Sequence, residues 1–290
     1  MEINAQLRAD QIQIEDALTA YTKQWPAYGA LNEAMSYSLL SGGKRIRPVL
    51  VLEVCRLFGG NPERALPLAC GLEMVHTYSL IHDDLPCMDD DDFRRGKPTN
   101  HKVFGEANAV LAGDALLTAA FSTLAEADLP PDRIQRAVAT LARAAGPAGM
   151  VGGQVLDLLG EGKDLTEEEI LTIETLKTGC MIEAAARLGA IAAGSSQEGE
   201  EAAAAYARKL GLAFQIRDDL LDVLGDEAEF GKPIGSDEAN QKSTFVARKG
   251  IAACEAWVQS LTQEAVDHLA PFSGKEFLCD LAHVLAGRNK

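Results

Sequence analysis

Two aspartate clusters, each reached through an apolar segment, constrain what this chain can fold into. The first runs from Asp83 to Asp92, follows the apolar stretch that ends at Ile81, and places six carboxylates within ten residues. Because such a density of charge is costly to bury, the segment is a poor core element and a poor membrane span. Carboxylate oxygens are the ligands that Mg²⁺ prefers, although most acidic runs are solvated loops.

The second cluster lies far downstream, at Asp218, Asp219 and Asp222, in an apolar segment of helical periodicity. On a helix, Asp218 and Asp222 project from one face, a turn apart. Like charges at that spacing destabilise an isolated helix by about 0.2–0.5 kcal/mol, so a positive group is expected near them. Two such clusters, each on an apolar helix, predict a cavity with acidic groups on opposite sides that hold metal ions.

Composition narrows the class of protein. The 290 residues are 47% hydrophobic but only 6% aromatic, and alanine is abundant, which favours closely packed helices. A net charge of -16 argues against nucleic acid or an anionic membrane as the main partner. No apolar run reaches about 18 residues, so we expect no membrane insertion. The six cysteines form no C-x-x-C pair and no signal peptide pattern is present, which predicts a cytoplasmic protein with reduced thiols.

Helical periodicity covers most of the chain. The apolar segment from Glu63 to Ile81 should be one helix that leads straight into the first aspartate cluster. Pro86 cannot continue that helix, and the break lets Asp89 bend back towards Asp83. No strand pattern, repeat or linker is recognisable, so we predict a single domain over residues 1–290.

Other local signals predict where later elements begin. Asp132 is a good N-cap for the helix after the prolines, and Thr166 with Glu169 forms a capping box. The glycine-rich and charged residues 225–237 predict a loop of the kind that serves as a lid. Residues 243–286 are expected to be helical.

A basic segment follows Gly42-Gly43 and contains Lys44, Arg45 and Arg47. It is not a nucleotide P-loop, because Ser38 stands where the first glycine belongs and Arg45 replaces the serine or threonine. Flexible backbone, two or three cations and a helix N-terminus suit a diphosphate, and a basic surface turn is the alternative.

In their order along the chain, these motifs resemble those of the trans-type (E) polyprenyl diphosphate synthase family, and within it the bacterial farnesyl diphosphate synthases. The resemblance runs from about Leu40 to Thr244, and it depends on the ordered set because each motif alone is weak. The set consists of Gly42-Gly43-Lys44-Arg45-Ile46-Arg47-Pro48, His76, Asp83-Asp84-Leu85-Pro86-Cys87-Met88-Asp89, Arg94-Arg95-Gly96, Gly153-Gln154, Lys177-Thr178-Gly179, Phe214-Gln215 with Asp218-Asp219-Leu220-Leu221-Asp222, and Gly231-Lys232.

The resemblance implies an all-α, isoprenoid-synthase-type helical bundle around a deep central cavity, assembled as a homodimer. It also implies three Mg²⁺ ions per active site, with Mn²⁺ as the other metal to consider. The carboxylates implied as metal ligands are Asp83, Asp84, Asp89, Asp218 and Asp222, with Asp219 in support. The residues implied at the allylic diphosphate are Arg94, Lys177, Thr178, Gln215, Lys232 and Lys242. Those implied at isopentenyl diphosphate are Gly43, Lys44, Arg47, His76 and Arg95. The implied catalytic set is Asp83, Asp84, Asp89, Arg94, Lys177, Asp218 and Lys232.

The reaction implied by the resemblance is the condensation of isopentenyl diphosphate with dimethylallyl and geranyl diphosphate to give (2E,6E)-farnesyl diphosphate. Tyr78 lies five residues before Asp83, about 7.5 Å along a helix at 1.5 Å per residue. A bulky ring at that depth would form a floor that stops chain growth, and the small neighbour Ser79 would leave that role to Tyr78 alone. The alternative is an ordinary core tyrosine.

Three other functions stay open. A geranyl or geranylgeranyl diphosphate synthase is the nearest alternative in the same class, and product analysis separates it from a farnesyl diphosphate synthase. A class I terpene cyclase shares the first aspartate motif, but its second metal site normally mixes Asn, Ser and Glu. A non-catalytic subunit of a heteromeric synthase would not need two intact aspartate motifs. The sequence leaves open the roles of Gln154, Asp157, Asp114 and the tail residues 288–290.

Overall fold

The computed structural model describes residues 3–224 and 243–288. Within these ranges the chain is helical apart from one small hairpin, which confirms the predicted all-α class. The helices are α1 Ile3–Thr22, α2 Leu31–Leu39, α3 Ile46–Leu57, α4 Pro62–Asp83, α5 Asn100–Phe104, α6 Glu106–Ala125, α7 Pro131–Ala145, α8 Met150–Gly160, α9 Glu167–Glu174, α10 Cys180–Ala193, α11 Gln197–Leu224, α12 Phe245–Lys249, α13 Ile251–His268 and α14 Glu276–Ala286. A π-helical turn, Thr175–Gly179, joins α9 to α10, and strands β1 Phe93–Arg94 and β2 Lys97–Pro98 form the antiparallel hairpin.

Helix α4 is the central helix of the bundle and packs against α1, α2, α3, α6, α7 and α10. It begins with a local signal, since Asn61 accepts a hydrogen bond from the Glu63 amide at 2.9 Å and Pro62 occupies the first helical position. Its middle is fully buried, with Leu68, Leu72 and Met74 in the main core. It ends at Asp83, as the position of Pro86 predicted.

Glycines let α4 and α6 approach each other closely. A Cβ atom built on Gly71 of α4 would lie 2.9 Å from the Ala120 carbonyl oxygen and 2.2 Å from Leu124 Cδ1. A Cβ atom on Gly113 of α6 would lie 2.1 Å from His82 Nε2 at the end of α4. At Gly71 the backbones of the two helices are in contact, and at Gly113 the His82 side chain packs on the α6 backbone, which holds the helix end that carries Asp83 against α6.

The second aspartate cluster is held by a smaller hydrophobic core. Ile216 and Leu220 of α11 pack with Phe245 of α12 and Val258 of α13, and all four side chains are buried. Helix α14 is attached to the other half of α11, where the buried Tyr206 hydroxyl donates to the Leu278 carbonyl at 2.7 Å. These contacts fix the orientation of α11 along its length.

A buried ion cluster connects α1 to α3. Arg56 donates to the two carboxylate oxygens of Asp10 at 2.8 and 3.0 Å and also to Glu53. Burial raises the pKa of Glu53 to about 8, and the hydrogen bond with Asp10 adds to that rise while Arg56 opposes it. The cluster fixes the position of α1, and it lies away from the aspartate motifs.

The predictions made from local sequence signals had mixed outcomes. Both halves of the capping box between Thr166 and Glu169 are present. The N-cap prediction for Asp132 was wrong, because α7 already begins at Pro131, whose fixed φ suits the first helical position. The absence of strands was also wrong, since β1 pairs with β2. The lid prediction for residues 225–237 falls outside the described residues.

Helix α6 is long and apolar enough to cross a membrane by length and composition alone. Of its apolar window, 39% is buried inside the molecule, and α6 packs along α4. A core helix of a soluble protein passes the same test, and a single such helix is weak evidence of a membrane span.

The glycine contact between α4 and α6 yields a stability prediction. Gly71→Ala places a methyl group against the backbone of Ala120, so we expect it to lower the free energy of unfolding by about 1–3 kcal/mol. Gly211→Ala is the matched control, because a Cβ there meets its nearest atom at 3.4 Å in a helix interior and alanine favours the helix. Urea unfolding of both variants would measure the difference, and equal midpoints would contradict the close approach.

Candidate active site

A cavity of about 940 Å³ opens between the two aspartate-bearing helices. Its wall is formed by the loop before α3, the middle of α4, the hairpin, α8, α9 with the π-helical turn, and α11. The volume is that of a small-molecule site. Apolar residues such as Leu80 and Phe214 alternate on this wall with acids and cations.

At the end of α4 the chain folds back as predicted. The Asp89 amide donates to the Asp83 carbonyl oxygen at 2.9 Å, and the Asp90 amide donates to the Leu85 carbonyl oxygen at 3.1 Å. Burial raises the pKa of Asp83; the charge of Lys177 opposes that rise, and the charge of Asp89 adds to it. The return of the chain thus brings Asp83 and Asp89 to the same place.

Asp84 has a different environment from its neighbour. Its side chain is buried, and its Oδ1 accepts a hydrogen bond from Arg94 Nε at 2.6 Å. Burial raises the pKa of Asp84 to about 6, and the charge of Arg94 limits the rise. In this arrangement Asp84 orients Arg94 of the hairpin, and its direct role as a metal ligand stays a prediction.

On the opposite wall, α11 presents Asp218, Asp219 and Asp222 to the cavity. Asp219 Oδ2 accepts a hydrogen bond from the Phe245 amide at 3.1 Å, which ties it to α12. Arg288 forms an ion pair with Asp218. The like-charge argument predicted a positive group here, and Arg288, from the tail whose role the sequence left open, is one such group.

The π-helical turn carries Lys177 and Thr178 into the cavity wall. Lys177 Nζ bonds Asp157 Oδ2 of α8 at 2.6 Å. A Cβ atom on Gly153 would lie 2.3 Å from the Lys177 amide nitrogen, so α8 and the turn are in backbone contact. Asp157, whose role the sequence left open, thus pairs with Lys177 at the cavity wall. Turns of the π-helical type are frequent at functional sites.

Sequence reasoning missed Glu174. It lies at the C-terminal end of α9, lines the cavity, and its Oε2 accepts a hydrogen bond from Gln215 Nε2 at 2.6 Å. Burial raises the pKa of Glu174 to about 7, although the hydrogen bond from Gln215 opposes the rise. In the sequence, Glu174 is notable only for lying one turn after Ile170. That position does not reveal its hydrogen bond with Gln215.

The loop before α3 forms the basic part of the wall with Lys44, Arg45 and Arg47. Arg47 Nε is buried and has no hydrogen-bond partner, while its Nη1 lies 3.5 Å from His76 Nε2. Burial and the charge of Arg47 lower the pKa of His76 well below its ordinary value, so this imidazole is neutral at pH 7. A buried guanidinium with an unused donor is suited to an anion.

Arg95 is placed by the glycines of the same loop. Its Nη1 donates to the Gly42 carbonyl oxygen and lies 3.3 Å from Ser41 Oγ. A Cβ atom on Gly43, whose φ is +132°, would lie 2.9 Å from the guanidinium of Arg95. The absence of a side chain at Gly43 thus makes room for Arg95 at the cavity.

Asp83, Asp84 and Asp89 are not among the residues that line this cavity, although the charge of Lys177 on its wall acts on Asp83. Four other predicted residues are not part of the wall or cannot be placed. Lys232 and Lys242 lie outside the described residues. Tyr78 is 6% exposed in the main core, where its ring meets the edge of His82 with the centroids 5.6 Å apart. The Ser79 hydroxyl donates to the His76 carbonyl oxygen at 2.9 Å. Tyr78 and Ser79 as determinants of chain length stay predictions.

The carboxylates at the site suit a metal ion that binds together with the phosphates of a substrate. Within the described ranges, no group of three or more His, Cys, Asp or Glu side chains is arranged to hold a metal ion by itself. Mg²⁺ usually binds one or two carboxylates together with substrate phosphates and water. The α11 carboxylates line a cavity that also contains cations, and Asp83 lies within the electrostatic reach of Lys177 on its wall, which fits that mode of binding.

Comparison with known proteins agrees with this geometry. The polyprenyl synthetase family model matches residues 29–270. The chain belongs to this family. It is 49% identical over 259 residues to the farnesyl diphosphate synthase of Geobacillus stearothermophilus, covering 88% of this chain and 87% of that protein. It is 46% identical over 261 residues to the geranylgeranyl diphosphate synthase of Cyanophora paradoxa, covering 89% and 87%.

A solved structure agrees over nearly the whole length. The crystal structure of an FPP/GFPP synthase from Zymomonas mobilis superposes with a TM-score of 0.87 at 37% identity, covering 98% of this chain and 99% of that one. This polyprenyl synthetase is accordingly a prenyl-transferring enzyme, as its motifs predicted. Members of the family use divalent metal ions.

The loop glycines yield a binding prediction for this polyprenyl synthetase. Gly43→Ala would displace the Arg95 guanidinium, and the loss of one charged donor weakens anion binding by about 10- to 100-fold. Gly42→Ala is the control, because its φ of +81° brings similar backbone strain but a Cβ there meets no atom within 4 Å. Calorimetric titration with inorganic diphosphate would separate them, and equal affinities would contradict the role of Gly43.

Proposed function

We propose that this polyprenyl synthetase is a Mg²⁺-dependent farnesyl diphosphate synthase, which condenses isopentenyl diphosphate with dimethylallyl and then geranyl diphosphate. The observation that carries the proposal is a single cavity lined by the second aspartate cluster, by Lys177 and Arg94, and by a separate basic wall. The first cluster lies beside this cavity, since the charges of Lys177 and Arg94 act on Asp83. Two diphosphates can then bind side by side, one through metal ions and one through cations of the chain. The identity of 49% to a farnesyl diphosphate synthase supports the C15 product.

The proposed metal ligands are the carboxylates of the two clusters. Asp83 and Asp89 would act from the end of α4, and Asp218 and Asp222 from α11, with Asp84 next to them. We propose three Mg²⁺ ions per site, with Mn²⁺ as the alternative metal. When bound, the metal ions neutralise negative charge on the leaving diphosphate.

The chain's own cations complete the site for the allylic diphosphate. As the allylic C–O bond breaks, negative charge develops on the leaving diphosphate, and fixed donors stabilise that charge more in the transition state than in the ground state. Lys177 must exchange Asp157 for the diphosphate, and Arg94 is kept in orientation by Asp84. The remaining residues proposed for this diphosphate are Thr178, Gln215, Lys232 and Lys242.

The basic wall is the proposed site for isopentenyl diphosphate. Arg47 has an unused buried donor, Arg95 is seated over Gly43, and Lys44 belongs to the same loop. His76 is neutral and binds as a hydrogen-bonding imidazole without adding charge. Bidentate guanidinium groups match the geometry of a phosphate group.

Carbon–carbon bond formation then needs exclusion of water. The allylic cation forms a bond with the isopentenyl double bond, and the resulting cation loses a proton to give the new alkene. Apolar side chains of the wall, among them Ile46, Leu80 and Phe214, surround the reacting carbons with little water. The departing diphosphate is the proposed acceptor of that proton. The proposed lid, residues 225–237, falls outside the described residues.

Two alternatives are less well supported. A geranylgeranyl diphosphate synthase uses the same machinery, and the 46% identity to such an enzyme favours it as the second candidate. A class I terpene cyclase would not need the cations Lys44, Arg47 and Arg95, which this chain places on one wall. A non-catalytic subunit would not need both aspartate clusters.

We also propose a homodimer of single-domain chains in the cytoplasm. The face of α6 directed away from α4 exposes Val110 and Leu111, and Val155 and Leu159 of α8 are also exposed. Such apolar side chains support burial against a second copy. The net charge of -16 supports the absence of nucleic acid as a partner.

The proposed activity is tested by product analysis. The purified chain with Mg²⁺, isopentenyl diphosphate and dimethylallyl or geranyl diphosphate should yield farnesol after dephosphorylation, and a chelator should abolish it. Asp218→Asn should lower kcat by about 10²-fold or more, because it removes one charge that organises the leaving group. A cyclic hydrocarbon formed without isopentenyl diphosphate would indicate a cyclase, and no condensation would contradict the proposal.

The length of the product yields a separate prediction. If the Tyr78 ring blocks chain growth, Tyr78→Ala should shift the main product from C15 to C20 or longer, because the cavity becomes deeper. Ser79→Ala is the control one residue along α4, and it should keep the C15 product because a small side chain replaces another. An unchanged product in Tyr78→Ala would show that Tyr78 is a core residue only.

A further inference from the structure

Arg45 differs from the cations on either side of it. It has a left-handed backbone with φ of 51° and ψ of 33° at the N-cap of α3, and its side chain is 1% exposed. Non-glycine residues rarely adopt this conformation, and they keep it only where the surrounding structure imposes it. The strain points to a function for the position of Arg45.

Each of the three guanidinium nitrogens of Arg45 donates a hydrogen bond inside the protein. Nε donates to Glu15 of α1 at 2.6 Å, Nη1 donates to Glu73 of α4 at 2.5 Å, and Nη2 donates to the Leu39 carbonyl oxygen at the end of α2 at 2.6 Å. Three helices therefore converge on one side chain. Glu73 is itself 2% exposed, so the pair is buried and each group depends on the other.

Helix α1 makes a second contact with the same loop. Gln11 Nε2 donates to the Lys44 carbonyl oxygen at 2.9 Å. Gln11 and Glu15 are four residues apart, so they lie on one face of α1, and they bind the backbone of Lys44 and the side chain of Arg45 respectively. The family model matches residues 29–270, so α1 lies outside the matched region.

We propose that Arg45 is a positioning residue through which α1 and α4 fix the loop that binds isopentenyl diphosphate. Because Arg45 takes both carboxylates, the adjacent Arg47 keeps an unused donor for an anion. Because the backbone at Arg45 is fixed, Lys44 and Arg47 face the cavity together. The identity of the anion rests on the proposed function, whereas the positioning of the loop does not.

Arg45→Lys tests this role, since it keeps the charge but loses the planar fork that joins three helices. We expect the KM for isopentenyl diphosphate to rise about tenfold, a loss of roughly 1.4 kcal/mol of binding, while the KM for geranyl diphosphate stays within about twofold. Calorimetric titration with inorganic diphosphate without divalent metal should show a similar loss of affinity. If the wild type fails to condense its substrates, the proposed function fails, and this titration still tests the positioning of the loop.

Arg56→Lys is the matched control. Arg56 of α3 also pairs with two buried carboxylates, Asp10 of α1 and Glu53 of its own helix, so it too connects α1 to the bundle, but it lies outside the cavity wall. We expect it to lower thermal stability without changing either KM. The same rise in KM for both variants would overturn the proposal, because it would show a general effect of loosening α1.

Glu15→Gln keeps the inference testable if Arg45→Lys does not fold. It leaves Arg45 paired with Glu73 and removes only the charge supplied by α1. We expect a rise of about threefold in the KM for isopentenyl diphosphate, a fraction of the tenfold effect. An unchanged KM and an unchanged affinity for inorganic diphosphate in this variant would overturn the role of α1.

Discussion

Pairing between carboxylates and cations from different elements maintains the cavity wall. Asp84, directly after α4, forms an ion pair with Arg94 of the hairpin, and Asp157 of α8 forms one with Lys177 of the π-helical turn. A charge left unpaired in a partly buried wall would be costly, so these pairs keep the site ordered before any ligand binds. Binding then consists largely of exchange, in which metal ions and diphosphates take the place of internal partners.

The packing of α4 makes this arrangement precise in space. Close approach at Gly71 and Gly113 sets the distance between α4 and α6, and the end of α4 leads into the first aspartate cluster. Helix α11 is fixed by its own smaller core and by α14. Because α4 and α11 are both packed in the bundle, the separation between Asp83 at the end of α4 and the aspartates of α11 is determined by helix packing.

The basic wall depends on a loop, and a loop needs other supports. Glycines supply the close approach of Arg95, and the strained Arg45 connects the loop to α1, α2 and α4. In this region Arg45 forms the structural ion pairs, and Arg47 keeps a buried donor without a hydrogen-bond partner. In the proposed function, rigid helices would support the site of one diphosphate and a clamped loop would support the site of the other.

The sequence by itself determined the features that depend on local chemistry. Helical periodicity predicted the all-α class, and the missing N–H of Pro86 predicted the end of α4. The spacing of neighbouring residues predicted the capping box at Thr166 and identified the two aspartate clusters. Even locally, two preferences can compete, and at the start of α7 the fixed φ of Pro131 prevailed over the capping preference of Asp132.

Only the tertiary structure decided which cations remain available to a ligand. Three contacts at the site join residues that lie far apart in the sequence. They are the ion pair of Asp157 with Lys177, the hydrogen bond between Glu174 and Gln215, and the ion pair of Arg45 with Glu73. No periodicity or motif encodes such distances, because they arise from how whole helices pack. The sequence therefore identified the charges of the site, and the fold decided which of them neutralise one another, since Coulomb energy depends on separation in space and on burial.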